Sequence, residues 1–325
     1  MSVVDADADV AAEAVELGVA DIAGPDPSAE VTFIAAPVGA IPQLALETLA
    51  ASEGLVTDVG STKAEVCRLV DHPRFVGGHP MAGSEQDGVR GADPDLFSGA
   101  MWVLTPTDAT DEASFAAVAG IIRSLGSEVI ALAPQVHDEL VAQVSHVPHL
   151  TAAALMCLAD DTSVEHRALL RLAAGGFRDM TRISSGRPTI WPDICLANSE
   201  AIMHGIDGLI EALADIKGLI ESENRDGLLT LLNKARQART NLPTGFRVAE
   251  RVAEVAVPIP DRPGEIAAIA TLASELDVNI LDLDISHSGE GGRGVMLLMV
   301  DADLAERLMG GLMARSYRPT LRALT

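Results

Sequence analysis

The stretch Val31-Thr32-Phe33-Ile34-Ala35, closed by Ala36-Pro37-Val38-Gly39 and followed by a helical pattern to about Ser52, decides the fold class. A short apolar run that ends in small residues and gives way to a helix reads as a buried strand feeding a crossover. Working outward, the same unit recurs. Leu55 to Val59 is a further buried strand, Phe75-Val76-Gly77-Gly78 a shorter one, and Ala100 to Thr105 another. Phe115 to Leu125 reads as a helix and Glu128 to Leu132 as a strand. Upstream, Ser2 to Asp5 reads as a short strand ending in an acid, and Asp9 to Leu17 as a helix stopped by Gly18. The strands are apolar throughout and alternate with helices, which predicts a parallel sheet covered on both faces.

After Pro134 the pattern changes. From His137 to about Asn241 only helical signals appear, including an amphipathic run from Asp193 to Glu221 and a second from Arg225 to Thr240. Their long apolar faces suggest packing between two copies in a homodimer. Near Pro243 it changes again. A strand over 252–259, a turn at Asp261-Arg262-Pro263-Gly264, a helix over 265–276, strands over 278–286 and 295–300, a helix over 304–314 and a last strand over 318–324 give the order βαββαβ of a ferredoxin-like sandwich. The expected organisation is an α/β, Rossmann-like parallel sheet over residues 1–135, a helical domain over 136–247 and the sandwich over 252–325.

The chain of 325 residues carries a formal net charge of −24, which opposes binding to nucleic acid because a phosphate backbone is repelled. The composition is 48% hydrophobic but only 3% aromatic, so Ala, Leu, Val and Ile must build the core. No continuous apolar run approaches the ~20 residues of a membrane span. Cys67, Cys157 and Cys195 are scattered without a C-x-x-C pair, which suits a reducing cytoplasm.

A dinucleotide fold needs a glycine turn between its first strand and first helix. The one literal G-x-G-x-x-G, Gly289-Glu290-Gly291-Gly292-Arg293-Gly294, leads from a strand into another strand and reads as a hairpin loop. The functional turn is therefore expected before Ser2, so that the chain begins inside the domain with the first strand lacking. Asp5 would then close the second strand, either bonding the ribose hydroxyls and favouring NAD or standing as a solvated strand-end acid.

Four segments carry candidate chemistry. Asp58-Val59-Gly60-Ser61-Thr62-Lys63 follows a strand, so the Ser61 hydroxyl can reach a ligand at the sheet edge, cap the next helix, or both. Gly77-Gly78-His79-Pro80-Met81-Ala82-Gly83-Ser84-Glu85 clamps His79 at another strand end. His137-Asp138 precedes Ser145-His146-Val147-Pro148-His149, whose two histidines are three apart on one helix face. A metal would need two further ligands, and the sequence shows none. Gly175-Gly176-Phe177-Arg178-Asp179-Met180-Thr181-Arg182, with Trp191 beyond, offers Arg182 as a fork for a carboxylate and Arg178 as either a second one or a surface charge.

With the GGHPMAGSE, SHVPH and GFRDMTR segments in this order, the sequence resembles the prephenate/arogenate dehydrogenase family from Val3 to Ala323. The resemblance implies oxidation of prephenate, with loss of carbon dioxide, to 4-hydroxyphenylpyruvate, using NAD. It implies that His79 bonds the ring hydroxyl beside Ser61, near the nicotinamide. By the same likeness His149 and Arg182 hold substrate carboxylates, Glu85, Asp179 and Trp191 wall the pocket, and His146 is their helix neighbour. Ala36, Pro37 and Val38 fall with Asp5 and Ser61 among the implied cofactor contacts. The C-terminal module resembles an ACT domain, in which Asp261, Gly264 and Asn279 match an effector site for an aromatic amino acid, tyrosine above all. It could equally be a dimerisation module without a ligand. Arogenate in place of prephenate, or an amino-acid sensor without catalysis, remain the alternatives. The dehydrogenase reading requires His79 and Arg182 to face one cavity.

Overall fold

The computed structural model of the chain describes residues 1–83, 88–165, 169–242, 252–260, 262–287 and 293–324. It divides into two compact units, Met1–Thr230 and Leu231–Thr325.

The first unit opens with β1 (Ser2–Val3), α1 (Ala8–Glu16) and β2 (Ile22–Ala23), and the two short strands pair with each other in parallel. There follow β3 (Val31–Ile34), α2 (Ile41–Ala51), β4 (Leu55–Asp58), α3 (Ala64–Leu69), β5 (Phe75–Pro80), β6 (Met101–Thr105), α4 (Glu112–Ser124) and β7 (Glu128–Ala131). These build a five-stranded sheet in the order β3-β4-β5-β6-β7, separate from the β1-β2 pair. Both faces are covered. Phe75 joins a core with Ile41, Ala45, Leu49, Val66 and Cys67, while its neighbour Val76 joins another with Trp102, Leu104, Val118 and Ile122. Adjacent residues of one strand serving two cores is the period of two at work.

The expectation of an all-parallel sheet is corrected. β3, β4 and β5 are parallel, but β6 runs antiparallel to β5, with Gly77 opposite Thr105 and His79 opposite Val103. β7 is again parallel to β6. A parallel neighbour requires a crossover that carries the chain back over the sheet, usually on a helix. Between β5 and β6 the described residues hold only the short 3-10 turn Val89–Gly91, so the chain returns alongside instead.

The helical half holds α5 (Pro134–Val141), α6 (Val147–Glu165), α7 (Gly175–Thr181), α8 (Trp191–Ala197), α9 (Ser199–Glu221) and α10 (Arg225–Thr240). α5 and α6 are joined through a π-helical turn, Ala142–His146, in which the Val147 amide bonds the Ala142 carbonyl. The cause is Pro148. It has no amide hydrogen and its ring clashes with the carbonyl four residues back, so the helix takes up an extra residue. The helical run Pro134–Thr162 matches a membrane span in length and hydropathy. Yet it buries His137, Asp138 and His146, each hydrogen-bonded to the domain around it, as in the core helix of a folded domain. The expected single helix from Asp193 to Glu221 is broken at Asn198, whose side chain donates to the Asp138 carbonyl at 2.8 Å.

The second unit contains β8 (Val252–Pro260), α11 (Glu265–Glu275), β9 (Ile280–His287), β10 (Arg293–Asp301), α12 (Ala302–Ala314) and β11 (Thr320–Leu324). Its antiparallel sheet has the order β11-β8-β10-β9, the ferredoxin-like topology. Val255, Val257 and Ile259 of β8 and Met296, Leu298 and Val300 of β10 turn one face onto Ile269, Leu272, Leu308 and Leu312 of the two helices. β9 and β10 are antiparallel neighbours, so the glycine-rich run joins two strands of one sheet. Gly289, Glu290, Gly291 and Gly292 lie outside the described residues.

Candidate active site

The site grows from the carboxyl ends of β4 and β5. β5 outruns β4, which pairs only as far as Thr57 with Val76, so Gly77 to Pro80 reach past the neighbouring strand. Asp58 closes β4 fully buried. It accepts hydrogen bonds from the Gly60 amide at 2.9 Å and the Gly78 amide at 3.0 Å, and it pairs with the buried Lys63 ammonium. A buried carboxylate is tolerated only with such satisfaction. The glycine pair before His79 follows from crowding. A Cβ on Gly77 would stand 2.4 Å from Thr105 Oγ1, and one on Gly78 would stand 2.6 Å from the Asp58 carbonyl oxygen. With both lacking a side chain, β5 lies close against β4 and β6, and His79 comes next on a fixed backbone.

Ser61 is half-buried in the turn after β4. The reading of it as a helix cap is corrected: α3 begins only at Ala64, and its cap comes from another element. One Asp138 oxygen accepts the Lys63 amide at 2.7 Å and the other accepts the Ala64 amide at 2.8 Å. A carboxylate at a helix start satisfies amides that have no partner within the helix.

Asp138 also accepts from His137 Nδ1 at 2.7 Å, and His137 Nε2 lies 2.8 Å from His79 Nδ1. Burial, with His137, Lys63 and His146 nearby, pushes the His79 imidazole down to about 2. Burial likewise takes His146 down to about 4, against the pull of the Asp138 carboxylate. Near neutral pH these rings are uncharged partners that accept at one nitrogen and donate at the other.

The π turn and α6 bring the second pair of histidines to Trp191. His149 stacks on the indole with ring centroids 3.6 Å apart and planes 12° from parallel. His146 meets the same indole edge-on at 6.0 Å, and Asn198 joins His146 Nδ1 at 3.3 Å. Asn198 also holds the Asp138 carbonyl, so one side chain ties the Trp191 cluster to the His137 cluster. Burial holds His149 below the usual imidazole range. Gly186 lies beside it, where a Cβ would be 3.9 Å from His149 Cε1.

The remaining candidates are placed as follows. Arg182 opens an exposed 3-10 turn, Arg182–Ser185, that packs against α6, the helix of His149. Asp179 and Arg178 are exposed on α7. Ala36 and Val38 are half-buried after β3, and Val38 starts a 3-10 turn, Val38–Ala40, that packs against α8. Pro37 between them is exposed. Asp5 is exposed past β1, with one oxygen accepting the Asp7 amide at 2.9 Å. Gly264 caps α11 in the left-handed region at φ 95°, and Asn279 is exposed just before β9. Gly264 and Asn279 stand at opposite ends of α11, roughly 16 Å at the rise of an α-helix, and so form no common pocket within one chain. Glu85 and Asp261 lie outside the described residues.

Sequence reasoning quoted the His137-Asp138 pair without giving it a role, and passed over Asp58, Lys63 and Asn198 as organisers. The signal for two of them was available: an acid and a lysine five apart, directly after an apolar strand.

The profile described as prephenate dehydrogenase, nucleotide-binding domain, matches residues 1–131, and that for the prephenate dehydrogenase dimerization domain matches residues 133–234. A prephenate dehydrogenase of Bacillus subtilis (strain 168) is 33% identical over 316 residues, covering 92% of this chain and 85% of that one. The crystal structure of prephenate dehydrogenase from Aquifex aeolicus in complex with hydroxyphenyl propionate and NAD+ superposes with a TM-score of 0.71 at 30% identity, over 74% of this chain and 88% of that one. The Synechocystis arogenate dehydrogenase structure gives 0.64 at 29%, over 73% and 89%. Two profiles spanning most of the sequence, and a relative matched along nearly its full length, place the chain in the prephenate dehydrogenase family.

Proposed function

We propose that the chain is a prephenate dehydrogenase of tyrosine biosynthesis, converting prephenate to 4-hydroxyphenylpyruvate and carbon dioxide. The cofactor is NAD. The stretch Ala36 to Val38 offers backbone and short, half-exposed apolar side chains at the carboxyl edge of β3, with Ser61 past the end of β4. That suits the nicotinamide half of a dinucleotide, which sits at the carboxyl ends of parallel strands. Among the described residues no G-x-G-x-x-G turn leads into a helix to receive the pyrophosphate.

The single observation that carries the reading is His79: a neutral imidazole on a rigid strand extension, its Nδ1 held by His137. Bound NAD supplies the hydride acceptor. The protein orients the carbinol and receives its hydroxyl hydrogen at His79, with Ser61 beside it. When carbon dioxide leaves, the electron pair of the broken bond completes the aromatic ring, and the oxygen takes its proton back. His149, fixed flat on Trp191, and Arg182 hold the two carboxylates of the substrate. His79→Asn is expected to lower kcat by ~10²- to 10⁴-fold without unfolding the protein. Reduction of NAD followed by near-ultraviolet absorbance checks this, and unaltered turnover removes His79 from the chemistry. Arogenate, run in the same assay, distinguishes the neighbouring specificity, whose Synechocystis representative is 29% identical over 73% of this chain.

We further propose that the C-terminal unit is an ACT domain that binds an aromatic amino acid, tyrosine above all. Its βαββαβ order and the left-handed Gly264 at the start of α11 support this. Since Gly264 and Asn279 are at opposite ends of α11, one effector would be shared by two copies, as a homodimer in a reducing cytoplasm provides. Isothermal titration is expected to show heat with tyrosine; silence with both tyrosine and phenylalanine would leave a module for dimerisation alone.

A further inference from the structure

The Asp138–His137–His79 chain orders the ring hydrogens of two neutral imidazoles. Asp138 accepts a backbone N–H on each oxygen, from Lys63 and from Ala64, which favours the carboxylate and so an acceptor toward His137. A neutral His137 then carries its hydrogen on Nδ1 and presents a lone pair at Nε2. The 2.8 Å contact then requires His79 to donate from Nδ1, which leaves the His79 Nε2 lone pair as the free, basic end. The opposite tautomer of His79 would set two lone pairs against each other across that distance. His137 is wholly buried, and Asp138 nearly so, with no solvent to substitute for either bond.

We propose that His137 is a positioning and proton-relay residue: it locks His79 in the Nδ1–H tautomer and takes the positive charge when His79 accepts the substrate proton. The role rests on the dehydrogenase reading for its second half only; the tautomer is a property of the protein alone. The step balances. The substrate hydroxyl proton bonds to His79 Nε2 while the His79 Nδ1 proton passes to His137 Nε2. The imidazolium then sits on His137, in contact with the Asp138 carboxylate, and both protons return when the aromatic oxygen reclaims its own. The surroundings favour that destination. Among the described residues the charged and titratable groups acting on His79 are His137 on α5, Lys63 before α3 and His146 on the π turn, all of which oppose a cation on His79. Of the two neighbouring imidazoles, His137 has a carboxylate directly bonded behind it, whereas His146 bonds the Asn198 amide. A proton held on His79 would be expelled by its surroundings, whereas one handed on is stabilised by a direct ion pair.

Two measurements test this. Nitrogen-15 NMR of the imidazoles in the full chain at neutral pH, without cofactor or substrate, is expected to show His79 protonated at Nδ1. Protonation at Nε2 overturns the lock. His137→Gln keeps an acceptor for His79 and a donor for Asp138 but cannot carry a proton. It is expected to lower kcat for prephenate by roughly 10- to 10²-fold, leave KM little changed, and convert a curved proton inventory in mixed light and heavy water to a straight line. Full kcat with the curvature retained overturns the relay. Loss of turnover in His79→Asn together with full turnover in His137→Gln sinks the relay while sparing the assignment. Full turnover in both variants sinks the assignment itself.

Discussion

Single residues in this protein act through what they are bonded to rather than through their identity. Asp138 caps α3, fixes its neighbour His137 and, through its own carbonyl, anchors Asn198, so one side chain and one carbonyl gather three segments far apart in sequence. His149 gains its orientation from a stacked indole. Arg182 lies on an exposed turn, and under the proposed function it meets a substrate carboxylate there. Its removal is therefore expected to act on binding. Arg182→Ala should raise KM for prephenate by about 10- to 100-fold, the value of about 1.5–3 kcal/mol for hydrogen bonds to a charged partner, with kcat changed far less. Steady-state kinetics decide, and an unaltered KM takes the carboxylate role away from this residue.

At the scale of elements, two local irregularities position the site. One is the overrun of β5 beyond β4, made possible by Gly77 and Gly78. The other is the π turn before Pro148, which inserts a residue between the histidine of α5 and those that follow. Each residue added to a helix turns everything beyond it by about 100°. Pro148→Ala restores an amide hydrogen and lets an ordinary α turn close. We expect the overall helix content by circular dichroism to stay the same while kcat falls, since His146 would rotate away from Trp191 and Asn198. Retention of full activity would show that the π turn is not what aims these side chains.

For the whole molecule the sharpest expectation concerns acid. His146 titrates near 4 in the folded chain and His79 near 2, both below the ordinary imidazole value of 6.5. Between those values the unfolded chain binds more protons, so the stability these rings contribute is complete above 6.5 and is lost as pH falls. For the fully buried His146 the loss is up to ~1.4 kcal/mol per pH unit. Acid also relieves the repulsion of a chain of net charge −24, an opposing effect shared by any variant. Urea midpoints at pH 7 and pH 5 should therefore fall more in the wild type than in His146→Gln, and an equal fall in both would refute the assignment of a neutral buried ring. The sequence by itself determined the order of elements, because apolar runs of strand length and helical periodicity are local properties. It also showed the motif residues His79, His146, His149 and Arg182, and the mismatch between G-x-G-x-x-G and its setting. Only the tertiary structure decided that β6 runs antiparallel, that Asn198 breaks a helix, and that Asp138 rather than Ser61 caps α3. Each of these depends on a partner tens of residues away, and a hydrogen bond between distant segments leaves no periodicity in the chain that makes it.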